Sequence, residues 1–291
     1  MEQQLRVLIA VAERRNFSRA AEDLHMTQPA VSQYIKSLEE TMGCKLLERN
    51  NKSVRLNKAG EIVYHHAKEI LDLYTRMQHL VDDLLHTPSG QLTIGASYTY
   101  GEYVLPRVIA RLRETYPLIT PSITIHNSRV ISSQVEDRQL EVGIVESEHV
   151  GEKMYMEPIA DDRMYVIASS RHPLTHRERI APEELEDQTW IVREEGSGTR
   201  EAVEKLFGQM NIRPQKRMEF GSTQLIKESV ESGLGISLLS FWAIRKEQKL
   251  GTLCTLNVEQ TPVTRKFSLV TQPNVFRTQA LEVFLDLLRR Q

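Results

Sequence analysis

The chain has 291 residues, of which 40% are hydrophobic and 26% charged, and this ordinary globular composition excludes a disordered or fibrous protein. No apolar run reaches the length of about 18 residues that a membrane span needs, and two cysteines are too few for a disulfide framework. The net charge of −2 conceals a basic segment, residues 1–58, with ten Lys or Arg against seven Asp or Glu. Such a segment favours a polyanionic partner, although chance clustering on a solvated surface is the alternative.

Three short amphipathic helices are predicted at the N-terminus. We expect Ser18 to cap the second helix and Thr27 to cap the third, because hydroxyl side chains accept hydrogen bonds from the first turn of a helix. The break His25-Met26-Thr27 between them predicts a helix-turn-helix. Its apolar residues recur at helical spacing: Leu5, Leu8, Ile9 and Ala12, then Phe17, Ala20, Ala21 and Leu24, then Ala30, Val31, Tyr34, Ile35 and Leu38.

The third helix has one polar and one apolar face. At 100° per residue, its polar side chains fall within about 140° and do not overlap the apolar set. Glutamine and lysine bond to base edges, serine fits close to a base or a phosphate, and proline contacts a thymine methyl. This face therefore predicts DNA recognition, and a solvated face in a helical bundle is the alternative. It consists of Gln28, Pro29, Ser32, Gln33 and Lys36.

A basic segment follows, with the sequence CKLLERNNKSVRLNKAG at residues 44–60. Short apolar pairs alternate with cations there, which predicts a β-hairpin wing whose positive charges contact phosphates. The cations are Lys45, Arg49, Lys52, Arg55 and Lys58.

A long helix is predicted over residues 59–84, where apolar positions recur in steps of four and three. It would reach roughly 40 Å at 1.5 Å per residue, which exceeds the core of a small domain. We expect it to mediate self-association, and packing on other domains of the chain is the alternative. His66 in this seam is expected to pack there without binding a metal. HTPSGQ, residues 86–91, follows as a linker and domain boundary.

The rest of the chain alternates strands and helices, which predicts an α/β fold with mainly parallel sheets. Predicted strands are QLTIGAS, SITIHN, EVGIVES, MYVIAS, TWIVRE, RMEFGS, ISLLS and RKFSLVTQ. Predicted helices are VLPRVIARLRETY, TREAVEKLFGQM, TQLIKESVES and FRTQALEVFLDLLRR.

Three strand ends carry hydroxyls directly before a helix, at residues 95–100, 194–200 and 221–224. Backbone N–H groups at a positive helix end favour an anion, and Arg200 would add a cation able to pair with it. Each segment alone is also an ordinary capped helix start. Together they predict a site for a small anion.

The sequence disfavours two other classes of function, an enzyme and a solute carrier. An enzyme is disfavoured because the Gly-Ser-Gly-Thr loop at 196–199 lacks the Lys-Ser/Thr of a P-loop, and no G-x-S-x-G elbow occurs. A solute carrier would need export, but the N-terminus lacks the cleavage site of a signal peptide. We therefore expect a cytoplasmic, non-catalytic protein without a metal or cofactor.

The segment FSRAAEDLHMTQPAVSQYIKSLEETMGCKLLERNNKSVRLNKAG resembles the winged helix-turn-helix of LysR-type transcriptional regulators over more than forty residues. The resemblance implies base recognition by one set of residues and contacts to the DNA backbone by another. Gln33 stands where many relatives carry arginine, which favours adenine over guanine there. The recognition set is Thr27, Gln28, Pro29, Ser32, Gln33 and Lys36, and the backbone set is Ser18, Arg49, Lys52 and Arg55.

The C-terminal region resembles the effector domain of the same family, which is similar to a type 2 periplasmic binding protein. ESVESGLGISLLS and the His-Pro-Leu at residues 172–174 match its pattern, and EGSGTRE is similar to a motif of regulators of sulfur assimilation and carbon fixation genes. The resemblance implies two lobes that close on a small effector. The effector residues it implies are Ser97, Thr99, Asn127, Ser128 and Glu146 in the first lobe and Ser197, Gly198, Thr199 and Thr223 in the second.

The resemblance also implies an organisation and a set of partners. We expect a DNA-binding domain at 1–58, a dimerisation helix at 59–87, a first lobe at 91–160 with 267–291, and a second lobe at 161–266. The expected partners are promoter DNA, a second copy in a homodimer or tetramer, and RNA polymerase, with no membrane.

Overall fold

The computed structural model describes residues 1–50, 53–83, 88–147, 151, 154–273 and 277–290. The chain divides into two compact units, Met1–Leu85 and His86–Gln291, which are called the first and second unit. The first unit contains α1 (Glu2–Arg14), α2 (Phe17–Asp23), α3 (Gln28–Met42), β1 (Leu47–Asn50), β2 (Ser53–Leu56) and α4 (Lys58–Asp83).

The predicted helix-turn-helix is present, with one correction to its capping. The residue that caps α2 is Asn16, whose side chain accepts hydrogen bonds from the backbone N–H groups of Ser18 and Arg19 at 2.8 and 3.1 Å. Ser18 lies inside the first turn of the helix, so its prediction as the cap is wrong. Asn16 takes the role because its backbone is extended immediately before the helix.

The apolar face of α3 packs into the core of the first unit. Val31, Ile35 and Leu38 are fully buried there against α1 and α2. Thr27 caps the helix as predicted, accepting a hydrogen bond from the Ala30 backbone N–H at 3.4 Å. The helix ends at Gly43, which has a φ of 70° and supplies the left-handed conformation that such an end requires.

The predicted wing is an antiparallel hairpin that is fastened to α3 and α4. Its strands pair with Leu47 opposite Leu56. Glu39 of α3, which is buried, accepts from Lys45 Nζ at 2.7 Å and from the Leu46 backbone N–H at 3.0 Å. Gly60 lets α4 start against the wing, because a Cβ there would stand 2.1 Å from the Leu46 carbonyl oxygen.

Part of the apolar surface of helix α4 packs on its own domain. Ala67 is buried and Val63 packs partly buried on the core of the first unit, so these two positions of the predicted helix contact their own domain. Other apolar side chains along the helix form a stripe that stays between 36% and 59% exposed, and we name it the α4 stripe. Its members are Ile62, Ile70, Leu73, Tyr74, Met77 and Val81.

The second unit is an α/β fold in two lobes. The first lobe packs β3 (Gly90–Ser97), β4 (Ile119–His126) and β5 (Val142–Val145) against α5 (Tyr98–Tyr103), α6 (Leu105–Thr115), α7 (Ser128–Glu136) and α12 (Gln279–Arg289). The second lobe packs β7 (Trp190–Arg193), β8 (Arg217–Phe220), β9 (Ser237–Ser240) and β10 (Leu253–Thr255) against α8 (Pro182–Glu186), α9 (Gly198–Met210), α10 (Thr223–Glu231) and α11 (Phe241–Leu250). Two longer strands, β6 (Tyr155–Ser169) and β11 (Val263–Thr271), connect the lobes.

The sheets are mixed, which corrects the expectation of mainly parallel pairing. Within the lobes, β3 pairs with β4 and β5 in parallel, and β7 pairs with β8 in parallel. The connecting strands are antiparallel, because β11 pairs in that sense with both β5 and β6, and β6 does so with β9 and β10. Alternating strands and helices predict the parallel pairs within each lobe. They do not predict the antiparallel pairing of β6 and β11, the strands that connect the lobes.

Strand β6 is longer than the predicted MYVIAS. It begins at Tyr155, and its first half carries Pro158 and two aspartates that interrupt the apolar pattern. Pairing with β11 shifts register between Phe267 and Ser268, opposite the segment that follows Pro158. A bulge accommodates a proline within a strand. The apolar pattern therefore did not predict that the strand continues through Pro158. Helices α7, α8 and α11 were also not predicted.

Among the described residues, no helix is both long and apolar enough to cross a bilayer.

Candidate functional site

The polar face of α3 is exposed. Gln28, Pro29, Gln33 and Lys36 are accessible to solvent, and Ser32 between them is half-buried. Gln28 Nε2 donates to Ser32 Oγ at 2.9 Å, and Lys36 Nζ lies 3.8 Å from Glu40 at the exposed far end of the face. Thr27 is exposed at the start of the helix. The helix therefore presents donors and acceptors in one row, close to its N-terminus.

The residues predicted to contact the DNA backbone are placed in part. Ser18 is exposed in the first turn of α2, and Arg55 is exposed on β2 of the wing. Arg49 lies on β1, but its side chain is outside the described part of the chain, and Lys52 lies outside the described residues altogether.

The second unit contains a buried cluster around Arg265, a residue that was not predicted. Its guanidinium lies 2.9 Å from Glu146 Oε2 and 2.8 Å from Asp162 Oδ2. It also donates to the hydroxyls of Thr99 and Thr199, each at 3.1 Å, so it joins the two lobes. We name this group the Arg265 cluster: Arg265, Glu146, Asp162, Thr99 and Thr199, all of which are buried.

Electrostatics and close packing hold the Arg265 cluster together. Burial alone would lower the pKa of Arg265, but the charges and hydrogen bonds of Glu146 and Asp162 raise it above its ordinary value. Glu146 also accepts from the backbone N–H groups of Thr99 and Tyr100, and its own N–H donates to Ser128 Oγ at 3.2 Å. Gly198 permits the approach of α9, since a Cβ there would stand 2.5 Å from the Glu146 carbonyl oxygen.

A second cluster surrounds Arg193, at the end of β7. Its Nε and Nη2 donate to Glu194 Oε2 and Oε1 at 2.6 and 2.7 Å, and its Nη1 donates to Thr223 Oγ1 at 3.1 Å. The Tyr98 ring lies 4.4 Å from the guanidinium carbon. Asn127 Nδ2 donates to Glu194 Oε1 at 3.2 Å from the other lobe. We name this group the Arg193 cluster: Arg193, Glu194, Thr223, Tyr98 and Asn127.

Two of the three predicted effector serines, Ser97 and Ser197, differ in their hydrogen bonding. Ser197 caps α9 by accepting from the Thr199 backbone N–H at 3.2 Å, so its hydroxyl has a structural contact. Ser97 is buried at the end of β3, where it pairs in register with His126, the residue before Asn127. Its hydroxyl oxygen has no hydrogen-bond partner within the described part of the chain. A buried hydroxyl of this kind is an available contact for a ligand.

Arg200 was predicted to supply the cation for an anion, and in the structure its side chain is 20% exposed and already has protein partners. Its guanidinium donates to Glu204 at 2.8 Å, to Glu219 at 3.0 Å and to the Arg193 carbonyl oxygen at 2.9 Å. Arg193 and Arg265 are two buried arginines that were not predicted. Arg193 had a signal in the sequence, because it ends a wholly apolar strand segment directly before the glycine-rich loop. Arg265 had none, because its partners lie more than 60 residues away.

A cavity of about 580 Å³ opens beside the Arg265 cluster. Its walls carry charges of both signs, with Arg129 and Arg200 among the cations and Glu195 and Glu201 among the anions. Glu195 is exposed to solvent. The carboxylate that pairs with the buried Arg193 of β7 is that of Glu194.

Comparison with known families covers nearly the whole chain. The family described as "Bacterial regulatory helix-turn-helix protein, lysR family" matches residues 3–61, and the one described as "LysR substrate binding domain" matches residues 86–291. Among characterised relatives, the HTH-type transcriptional regulator CysL of Bacillus subtilis (strain 168) is 34% identical over 285 residues, which cover 98% of this chain and 95% of CysL.

Two solved structures are similar in fold. The regulatory domain of CcmR from Synechocystis PCC6803, solved in complex with 2-PG, is 28% identical, covers 69% of this chain and 97% of that domain, and has a TM-score of 0.64. Full-length CbnR complexed with its target DNA has a TM-score of 0.72 over 100% of this chain and 99% of CbnR. At 21% identity, the likeness to CbnR shows the fold alone.

Proposed function

The chain belongs to the LysR family of transcriptional regulators, and from that premise we propose which of its residues read DNA, which pair two copies and which bind the effector. α3 enters the major groove with Gln28, Pro29, Ser32, Gln33 and Lys36 toward the bases. Thr27 stands at the start of that surface. Ser18, Arg49, Lys52 and Arg55 contact the phosphate backbone.

The observation that carries this proposal is the division of α3 into a buried and an exposed face. Val31, Ile35 and Leu38 fix the helix to the core, while the polar side chains point away from the rest of the first unit. Gln28 is oriented by its hydrogen bond to Ser32, and an oriented amide loses less freedom when it pairs with a base.

Regulators of the LysR family bind promoter DNA and form oligomers, and we propose that the α4 stripe is where two copies of this chain meet. Its six apolar side chains recur along one helix face, and burying them against a second copy would remove a large apolar area from water. The two DNA-binding domains of such a dimer then contact two half-sites of the promoter. A tetramer and a contact with RNA polymerase extend this proposal.

We propose that a small anion binds between the lobes, beside the Arg193 cluster. Ser97, Asn127 and Thr223 supply neutral polar groups there, and the relative CcmR was solved with 2-PG in its regulatory domain. Thr99, Ser128, Glu146, Ser197, Gly198 and Thr199 shape the floor of the cleft.

The division of the second unit into lobes at residues 160/161 and 266/267 is part of the same proposal. It is supported by the pairing of Ala160 with Phe267, where β6 and β11 run from one lobe to the other. An anion that binds the closed arrangement better than the open one shifts the population of the two, and that shift changes how the dimer engages DNA. The protein acts in the cytoplasm, where its promoter is, and no catalysis is required.

The substitution Gln28→Ala tests the assignment of α3. A duplex selected from a random pool by the full chain should bind the variant about 1–3 kcal/mol more weakly, with relaxed base preference at one position, because Gln28 would pair with a base edge. Electrophoretic mobility shifts with selected and scrambled duplexes measure both effects.

The matched control is Gln224→Ala, an exposed glutamine of the second unit that likewise bonds to the residue four positions later. It should leave both affinities unchanged. Equal losses on the selected and scrambled duplexes would show that Gln28 does not read bases.

A further inference from the structure

We propose that Glu194 is an intramolecular occupant of the anion-binding position, and that the effector's anionic group takes over Arg193 when the Glu194 side chain turns away. The inference deepens the proposed effector site and rests on it. Arg193 is then the cation that binds the effector. The effector is a small oxyanion with at least two acceptor oxygens, such as a carboxylate, a phosphate or a sulfate.

The first support is the burial of Arg193. Its side chain is 1% exposed, and a buried guanidinium requires an anionic partner. The structure provides that partner from the next residue, in a bidentate pair at 2.6 and 2.7 Å. Carboxylate, phosphate and sulfate groups offer the same two-oxygen geometry to an arginine.

The second support is that the two members of the pair differ in exposure. The side chain of Glu194 is 25% exposed, whereas that of Arg193 stays fixed by Thr223 and the Tyr98 ring. The carboxylate therefore lies on the solvent side and can leave without moving the guanidinium. Burial alone would raise the pKa of Glu194, but the hydrogen bonds and charge of Arg193 hold it below its ordinary value, so the occupant is an anion.

The Arg265 cluster shows what a permanent pair looks like in the same unit. Its two carboxylates, Glu146 and Asp162, have side chains that are 3% and 0% exposed, and both have further hydrogen bonds from hydroxyl or backbone groups. Neither carboxylate can leave that guanidinium without also breaking its bonds to these hydroxyl or backbone groups. Of these two buried arginines, Arg193 is the one whose anionic partner can be exchanged.

The third support is the donors that surround the Glu194 carboxylate. Asn127 donates to it from the first lobe, so the carboxylate connects the lobes. Ser97 is buried with a hydroxyl that has no partner among the described residues, and it precedes Tyr98, whose ring contacts Arg193. A bound oxyanion would replace the contacts of Glu194 with Arg193 and Asn127. With a further oxygen it would also engage Ser97, which Glu194 does not.

This arrangement predicts competition. A side chain next to Arg193 is present at a high effective concentration, so it reduces the apparent affinity of any free anion. Replacing Glu194 with glutamine keeps the size of the side chain but removes its charge. Arg193 then has no adjacent carboxylate that competes with a free anion. Isothermal titration of the full chain with inorganic sulfate and with inorganic phosphate, at constant ionic strength, measures the change.

We expect Glu194→Gln to bind these anions at least roughly tenfold more tightly than the unaltered chain, because a charge-assisted competitor has been removed. Glu195→Gln is the matched control, since it removes an equal charge from the adjacent, exposed position and should change the affinity less than about twofold. Adding Arg193→Met to Glu194→Gln should abolish binding. Glu194→Asp shortens the competing side chain and keeps its charge, so it should give a smaller increase in anion affinity. This variant provides the test if Glu194→Gln folds poorly.

The results that would overturn the proposal are distinct from those that would overturn the effector site. If Glu194→Gln and Glu195→Gln behave alike, or if Arg193→Met leaves the tighter binding intact, Glu194 is not the competitor. If the unaltered chain binds an anion, and Ser97→Ala weakens that binding while Glu194→Gln does not alter it, the cleft stands and this inference fails. If none of the variants binds either anion, both fail.

Discussion

Polar side chains serve opposite purposes in the two units of this regulator. On α3 they point into solvent, and Gln28 and Ser32 bond mainly to each other. In the second unit the guanidinium groups of Arg265 and Arg193 are buried and paired with carboxylates, which come from distant parts of the chain for Arg265 and from the next residue for Arg193. The surface that we propose to read DNA keeps its donors available, whereas the cleft that we propose to bind a small anion holds its charges in pairs that such a ligand could join or replace.

The largest effect on stability that we expect comes from removing the cation of a buried ion pair. Arg265→Met would leave Glu146 and Asp162 buried without a cation, which costs about 3–5 kcal/mol of unfolding free energy. Both tryptophans of the chain, Trp190 and Trp242, lie in the second unit. Urea unfolding followed by tryptophan fluorescence therefore reports the stability of that unit.

The neighbouring residue provides the control for this measurement. Lys266 pairs with Asp161, but both side chains are more than half exposed. Lys266→Met should cost less than about 1 kcal/mol, because solvent screens an exposed pair. Similar losses for the two variants would mean that the Arg265 cluster is not a buried ionic network, and the contrast between the two units would lose its basis.

A smaller effect should separate two hydroxyls that the sequence placed in the same class. Thr199→Val removes an acceptor for buried Arg265 and should cost about 1–3 kcal/mol. Ser97→Ala should change stability by less than about 0.5 kcal/mol, since its hydroxyl has no partner among the described residues, while it weakens the effector response. The same unfolding assay measures both, and a loss for Ser97→Ala as large as that for Thr199→Val would show that the Ser97 hydroxyl is structurally engaged.

The contrast explains what could be predicted from the sequence. The faces of α3 follow from a period of 3.6 residues, so Gln28 and Gln33 were placed on the exposed side and Ile35 and Leu38 on the buried side. The three strand ends of the second unit also follow from local pattern, and Ser97, Thr199 and Thr223 lie there. Local signals of this kind reach only a few residues along the chain.

The partners of those residues could not be found in the same way. Arg265 meets Thr99 across 166 positions and Asp162 across 103, and no spacing rule connects them. The position of Arg200 beside the glycine-rich loop predicts a cation for an anion, but it does not reveal the partners Glu204, Glu219 and the Arg193 carbonyl oxygen. Pairing of buried charges is decided by the three-dimensional fold, and sequence order identifies only the elements that bring them together.

The smallest effect we expect tests the exposed side of the comparison. Arg55→Ala on the wing should weaken selected and scrambled duplexes to a similar degree, and should reduce the slope of log affinity against log salt by about 0.9, because one phosphate contact is lost. Arg213→Ala removes the same charge from an exposed position of the second unit and should leave the slope unchanged. Fluorescence anisotropy across a salt series gives both slopes. An unchanged slope for Arg55→Ala would remove this residue from the phosphate contacts, and the wing would then serve to position α3 through Glu39 and Lys45.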